Sequence, residues 1–285
     1  MLDESVLEKI GLDKYIENDV IKTLEGSRKI CIDVGLSYSA PNSGAWLLND
    51  SERCVIAIEP LAWNWEGLKG AYDDDKNDPG EGWAVPRLNT NSIYVGGKQV
   101  VNIENKFFGL ECAIDNITSP EPKTFYHMEE QGSSSLLKPS DIHPHSIKKT
   151  ETVQCVSLND ICDYIDWEKF QVIEHLKVDC EGHDLEVIKS MREYIERVVF
   201  ITFEMSQSNQ GHWEDHYSFE EAHEYMTQQG FACIRYDGGN INYINKRWAP
   251  YIKSLDWKRH SGNPSLPFVV FPSSSLVYYC DLMQE

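Results

Sequence analysis

Five short apolar runs in this chain end in an acidic residue, and that recurrence restricts the fold more than any other feature. Lys29–Val34 carries Asp33 at its end and leads into Gly35. Cys54–Ile58 runs into Glu59, Phe107–Ile114 into Asp115, Ile173–Val178 into Asp179, and Val198–Phe203 into Glu204. Each run is too short for an ordinary helix and too evenly apolar for a strand with one wet face, so each reads as a strand buried on both sides. Helical spacing fills the gaps: a helix from about Ala45, another through Trp63–Leu68, one carrying Leu185, Ile188 and Met191, and one over Phe219–Gln228. Buried strands alternating with helices predict an open α/β sheet built from strand–helix–strand units. Ligands of such sheets bind outside the carboxyl ends of the strands, where these acids fall.

The densest of these ends is Ile173–Asp184. Strand alternation sends Lys177, Asp179 and Glu181 to one side if the strand continues through them. Gly182 then provides a sharp exit into the next helix. Ionisable groups gathered at a strand end are costly unless they pair, bind a ligand or do chemistry. A polar connection with a solvated face is the plain alternative.

The first strand–helix–strand unit points to a ribose-bearing ligand. Gly35 lets a ligand approach the backbone, and the following helix offers free N–H donors. Glu59, which ends the second strand just before the strand-breaking Pro60, can accept both hydroxyls of a ribose. Only Gly35 and the distant Gly44 are present, not the Gly-x-Gly-x-x-Gly that cradles a pyrophosphate, so the ligand expected carries no diphosphate. Asp115 and Asn116 end the next strand, where they can hydrogen-bond an adenine edge or simply make a turn. A purely structural unit whose acids cap loops is the competing reading.

Residues 1–28 read as a helical extension, 29–246 as one domain with an insertion near 70–105, and 247–285 as an irregular extension packed on the domain. The insertion holds an acidic Pro/Gly loop at 72–82 and a hairpin about Gly96 and Gly97. Ser157 or Asn159 caps a helix after the strand at 151–156. Phe231–Tyr236 and Ile241–Ile244 form a terminal antiparallel hairpin.

The net charge of −20 over 285 residues argues against nucleic acid or an anionic membrane as the main partner. No apolar run approaches a membrane span, and the acidic start Met1–Ser5 lacks the marks of a signal peptide, so a cytoplasmic place is expected. Eight cysteines without a Cys-x-x-Cys pair read as reduced thiols rather than a zinc site. The sequence assigns no oligomeric state.

In order along the chain, Ile32–Gly35, Ile56–Pro60, Cys112–Asp115, Gly132–Ser135, Val156–Asp160, Leu176–Gly182 and Phe203–Glu204 resemble the motifs of the FkbM family of S-adenosylmethionine-dependent methyltransferases. The resemblance covers roughly residues 29–245. It implies an α/β, class I methyltransferase (Rossmann-like) fold: a mostly parallel seven-stranded sheet with helices on both faces and an antiparallel terminal hairpin. It also implies methyl transfer to a hydroxyl, often on a sugar or natural product. Asp33 and Gly35 would then lie against the amino-acid half of the cofactor, with Leu36 beside them. Glu59 would take the ribose, with Pro60 next to it, and Asp115 and Asn116 would lie near the adenine. The segment after Gly35 is longer than the family's tight Asp-x-Gly-Ala-Asn-x-Gly and contains Pro41.

Methyl transfer from a sulfonium depends on placing the acceptor in line, and a hydroxyl must also lose its proton to a base or to metal assistance. Asp179, Glu181 and Glu204 are the expected acceptor-side acids. One can act as base, or two can hold a divalent cation through oxygen. Lys177 would restrain their charge or orient the acceptor. His183 and His212 are second-line bases. The acceptor expected is a saccharide or other small polar metabolite. Two rival functions are a nicotinamide-dinucleotide oxidoreductase on a Rossmann-like fold and a non-catalytic methyltransferase-like binding domain.

Overall fold

The apolar runs pair into one large sheet. In the computed structural model of the chain its strands are β1 (Lys29–Val34), β2 (Arg53–Ile58), β3 (Phe107–Leu110), β4 (Ile173–Val178), β5 (Val198–Glu204), β6 (Phe231–Tyr236) and β7 (Asn240–Asn245). They lie in the order β6-β7-β5-β4-β1-β2-β3. From β5 through β4, β1 and β2 to β3 every neighbouring pair is parallel. β7 runs antiparallel to both β5 and β6. The structure describes residues 1–36, 40–68, 87–89, 92–95, 98–130, 132–205, 211–236 and 239–254.

Strand alternation divides the buried residues between two faces. Ile30, Ile32 and Val34 of β1, Ile56 and Ile58 of β2, and Leu176 and Val178 of β4 share one core with Leu2, Ile10 and Leu12 and with the helices Leu158–Cys162, Asp184–Lys189 and Phe219–Gln228. Cys31, Val55 and Ala57 look the other way. They pack with Trp46 and Leu47 of the helix Pro41–Asn49, Trp65 and Leu68 of Ala62–Leu68, and Ile252 of Ala249–Ser254. That second face also holds a buried ion pair: Arg53 Nε donates to Glu174 Oε2 at 2.8 Å, both side chains 1% exposed. An α/β fold with a mostly parallel sheet and a helix-covered core on each face is what the motif resemblance implied.

Three expectations need correction. The run Phe107–Asp115 is not one strand. β3 stops at Leu110, and Ala113–Ile114 pairs in parallel with the end of Ile147–Val156 in a separate three-stranded sheet completed by Glu121–Met128. The physical reason lies next door. Glu59 N–H donates to Leu110 O at 3.1 Å, and Pro60 has no N–H with which to extend the ladder.

The N-terminal segment is helical only over Glu4–Ile10 and a short 3-10 turn at Asp13–Tyr15; Ile16–Glu17 and Val20–Ile21 then pair as an antiparallel ribbon. Asn18 and Asp19 take the left-handed conformation that such a tight ribbon turn requires.

The first residues past β7, expected to be irregular, are helical: a 3-10 turn at Lys246–Trp248 runs into the helix Ala249–Ser254. Residues 255–285, the acidic loop at 72–82 and the Gly96–Gly97 turn lie outside the described residues. Strands Ser92–Val95 and Lys98–Asn102 on either side of that turn pair antiparallel. Ser157 caps its helix in a reciprocal box with Asp160. The seven cysteines among the described residues are free, five of them buried.

The strand order places the site. β1 leads by way of one helix to β2 on one side, while β4 pairs on its other side, so connections diverge between β1 and β4. A crevice opens at such a switch point, at the carboxyl ends of the strands.

Candidate functional site

Two backbones meet at the centre of that crevice. Asp179 N–H donates to Val34 O and Gly35 N–H to Ile58 O, each at 3.0 Å. Gly35 has φ +77°, and a Cβ there would lie 1.9 Å from the Asp179 carbonyl oxygen. The glycine is therefore demanded by the neighbouring strand end as well as by any ligand.

Lys177 joins the ends of β1 and β4. Its Nζ donates to Gly35 O at 2.7 Å and lies 3.6 Å from Asp33 Oδ1 and 3.3 Å from Asp179 Oδ2. Burial works to discharge this ammonium, but the Asp179 and Asp33 carboxylates hold its pKa well above the usual lysine value. Asp33 lies beneath the cleft floor, where Oδ2 accepts from Ser43 N–H at 3.0 Å and Ser43 Oγ–H at 2.6 Å. Burial raises its pKa against the opposing pull of Lys177 and Ser43.

Beyond Val178 the chain turns sharply instead of continuing as a strand. Glu181 (φ +51°) and Gly182 (φ +87°) are both left-handed. Asp184, the first residue of the next helix, accepts from Cys180 N–H at 3.0 Å and Gly182 N–H at 3.2 Å, closing the turn. A Cβ on Gly182 would lie 2.7 Å from the Trp213 ring, so the turn packs flush against the loop after β5.

This turn brings Glu181 next to Asp179 and to Glu204 at the end of β5. One oxygen from each lies within 4.8 Å of the others. Burial raises the pKa of Glu181 and of Glu204, and the surrounding carboxylates raise them further. Asp184, fully enclosed behind them, is pushed up to about 6 by burial and by Asp179.

From this point an open cleft extends toward β2. Gly35, Glu59, Pro60, Asp179, Glu181 and His183 all line it. Glu59 is buried, and its Oε1 accepts from Leu61 N–H at 2.9 Å. The far wall is apolar. Trp63, Ile114, Phe125 and Leu136 line it, and the Trp63 ring is backed by the stacked imidazole of His127 at 5.4 Å.

Other expected site residues lie elsewhere. Leu36 is buried in the core beside Trp46. Asp115 stands behind His183, its Oδ1 2.9 Å from His183 Nε2 and its Oδ2 2.6 Å from Lys123 Nζ, so both oxygens are engaged by protein. Burial alone would raise the Asp115 pKa, but His183 and Lys123 hold it well below the usual carboxylate range. Asn116 is exposed and donates to Glu186. His212 is half-buried in a separate ring cluster with His143.

Sequence reasoning did not select Trp63, Asn64, Phe125 or Leu136 as cleft residues. Only the Gly132–Ser135 segment signalled that wall: Gly132 and Ser134 both line the cleft.

A model of the Methyltransferase FkbM domain matches residues 40–233, well over half of the chain. The chain belongs to the FkbM methyltransferase family. β1, with Asp33 and Gly35, precedes the matched span, and β7 follows it. The crystal structure of a methyltransferase FkbM from Methylobacillus flagellatus KT is similar at 14% identity and a TM-score of 0.39, over 77% of this chain and 44% of that one. The FkbM domain chain thus spans less than half of that protein. No curated protein matched the chain. Among the described residues no helix is long and apolar enough to cross a membrane.

Proposed function

We propose that this FkbM domain is a class I, S-adenosylmethionine-dependent O-methyltransferase acting on a hydroxyl of a saccharide or other small polar metabolite. One observation carries the reading: a single cleft has a buried carboxylate, Glu59, at one end and the Asp179–Glu181–Glu204 cluster by the other.

The cleft suits the cofactor. Glu59 offers a carboxylate to ribose hydroxyls, and the apolar wall about Trp63 suits a nucleobase. Among the described residues no lysine or arginine lines it. The missing Gly-x-Gly-x-x-Gly after β1 counts against a nicotinamide dinucleotide. When bound, S-adenosylmethionine supplies an electrophilic methyl group.

The chain's own groups act on the acceptor. Lys177, tied to Gly35 O and Asp179, fixes the turn that presents the acids. Asp179, the most exposed of the three, is the group we assign to orient the hydroxyl and take its proton. Glu181 and Glu204 lie beside it. The three oxygens form a hard donor set that would hold a divalent cation.

Calorimetry with S-adenosylhomocysteine and, separately, NADH tests the reading, followed by transfer of labelled methyl from S-adenosylmethionine to a saccharide mixture. Binding of the thioether nucleoside and label in the sugar fraction are expected. NADH binding without S-adenosylhomocysteine binding would reverse the assignment.

A further inference from the structure

Ser135 is buried at 1% exposure and does not line the cleft, although its neighbour Ser134 does. Its Oγ lies 2.9 Å from Glu181 O and 3.2 Å from Cys180 O, so its one proton is shared between two carbonyls of the acid-bearing turn. The same oxygen accepts from Leu137 N–H at 3.1 Å. The Ser135 backbone is pinned in turn: it exchanges two hydrogen bonds with Tyr126, at 2.8 and 3.2 Å, on the strand Glu121–Met128.

These contacts matter because the turn is strained. Glu181 has a side chain yet sits at φ +51°, a conformation unfavourable for an L-residue that persists only where surroundings over-determine it. Asp184 fixes the N–H groups of Cys180 and Gly182 from one side. Ser135 fixes the carbonyls of Cys180 and Glu181 from the other. Removing either clamp lets Glu181 relax toward φ < 0, which swings its carboxyl away from Asp179 and Glu204.

We infer that Ser135 is a positioning residue for methyl transfer: it holds Glu181 at the acceptor side through the turn's carbonyls, without touching cofactor or acceptor. This rests on the placement of Glu181 at the acceptor side under the proposed function. Serine fits the role for a specific reason. A small hydroxyl can reach both carbonyls while its own backbone stays in the neighbouring sheet, and alanine would leave two buried carbonyls without that donor.

The test compares wild type, Ser135→Ala, Ser135→Thr and Ser135→Cys in three measurements: amide hydrogen exchange over residues 179–184, S-adenosylhomocysteine affinity by calorimetry, and methyl transfer from labelled S-adenosylmethionine to a saccharide mixture. Ser135→Ala is expected to speed exchange in that turn about tenfold. It should lower transfer by about 10- to 100-fold, as misplacement of a reacting group does. Affinity for S-adenosylhomocysteine should stay within about twofold, and Ser135→Thr, which keeps the hydroxyl, should recover slow exchange. Unchanged exchange in Ser135→Ala, or affinity lost in proportion to transfer, overturns the inference. Should Ser135→Ala fail to fold, Ser135→Cys carries the same two criteria. Wild-type protein that transfers nothing defeats the proposed acceptor class, while exchange and affinity still decide the role of Ser135.

Discussion

Gly35 and Asp179 meet backbone to backbone, so that a side chain on the first would collide with the carbonyl of the second at 1.9 Å. The contact welds the ends of β1 and β4 together at the point where the sheet's connections diverge. Gly35→Ala must move a backbone atom and also hold alanine at φ +77°. Crowding and the left-handed conformation each cost about 1–3 kcal/mol. A loss of about 3 kcal/mol in urea unfolding is expected; a loss under about 1 kcal/mol would show that the strand ends separate easily.

Arg53 and Glu174 pair beneath the second sheet face with both side chains at 1% exposure. Arg53→Met strands a carboxylate in the core and should cost about 3–5 kcal/mol. The double variant Arg53→Met with Glu174→Leu should recover most of that loss. A double variant as unstable as the single one would mean that packing, not charge, dominates the site.

Asp115 ties stability to low pH. Its folded pKa is depressed, so the contribution is present above the unfolded value of about 3.9 and is lost as pH falls below it. Asp115→Asn should therefore be less stable than wild type near neutrality, with the gap narrowing in acid. Thermal melts across that range check it, and a constant gap would refute the linkage.

Glu181 and Glu204 act with the opposite sign. Their folded pKa values are raised, first by burial and then by neighbouring carboxylates. Such groups favour the folded state below the unfolded value of about 4.3, and that contribution disappears as pH rises through the higher folded values. Wild type should lose stability from about pH 5 to about pH 9, and Glu204→Gln should lose less. Parallel curves for the two proteins would remove the carboxyl cluster as the cause.

Cofactor binding and turnover should separate cleanly by residue. Glu59→Ala removes a charge-assisted pair of hydrogen bonds to a ribose, a loss of about 1.5–3 kcal/mol or roughly 10- to 100-fold in affinity for S-adenosylhomocysteine. Asp179→Asn should bind it normally and abolish transfer. An active Asp179→Asn enzyme would take that carboxylate out of the mechanism.

Much of the cleft's acidic side was legible before any coordinates, because each acid follows an apolar run and lands at a strand's carboxyl end. Asp179, Glu204 and Glu59 reach the crevice for that local reason. Glu181 reaches it differently. Alternation along a continued strand put it on the right side, whereas the chain turns at Asp179 and brings Glu181 back through a left-handed residue held by Asp184 and Ser135. Asp33 and Asp115 show where local reading stops. Both sit at strand ends, yet Ser43 and Lys177 engage one below the floor and His183 and Lys123 the other behind the wall.

Sequence alone determined the α/β class, the mostly parallel sheet and the family, since apolar periodicity and short motifs are local properties of a chain. Tertiary structure alone decided which carboxylates face the cleft, that Gly35 is required by Asp179, and that Trp63, Phe125 and Leu136 close the apolar wall. These outcomes depend on segments far apart in sequence meeting at one sheet edge, and long-range packing and pairing, not local pattern, set that register.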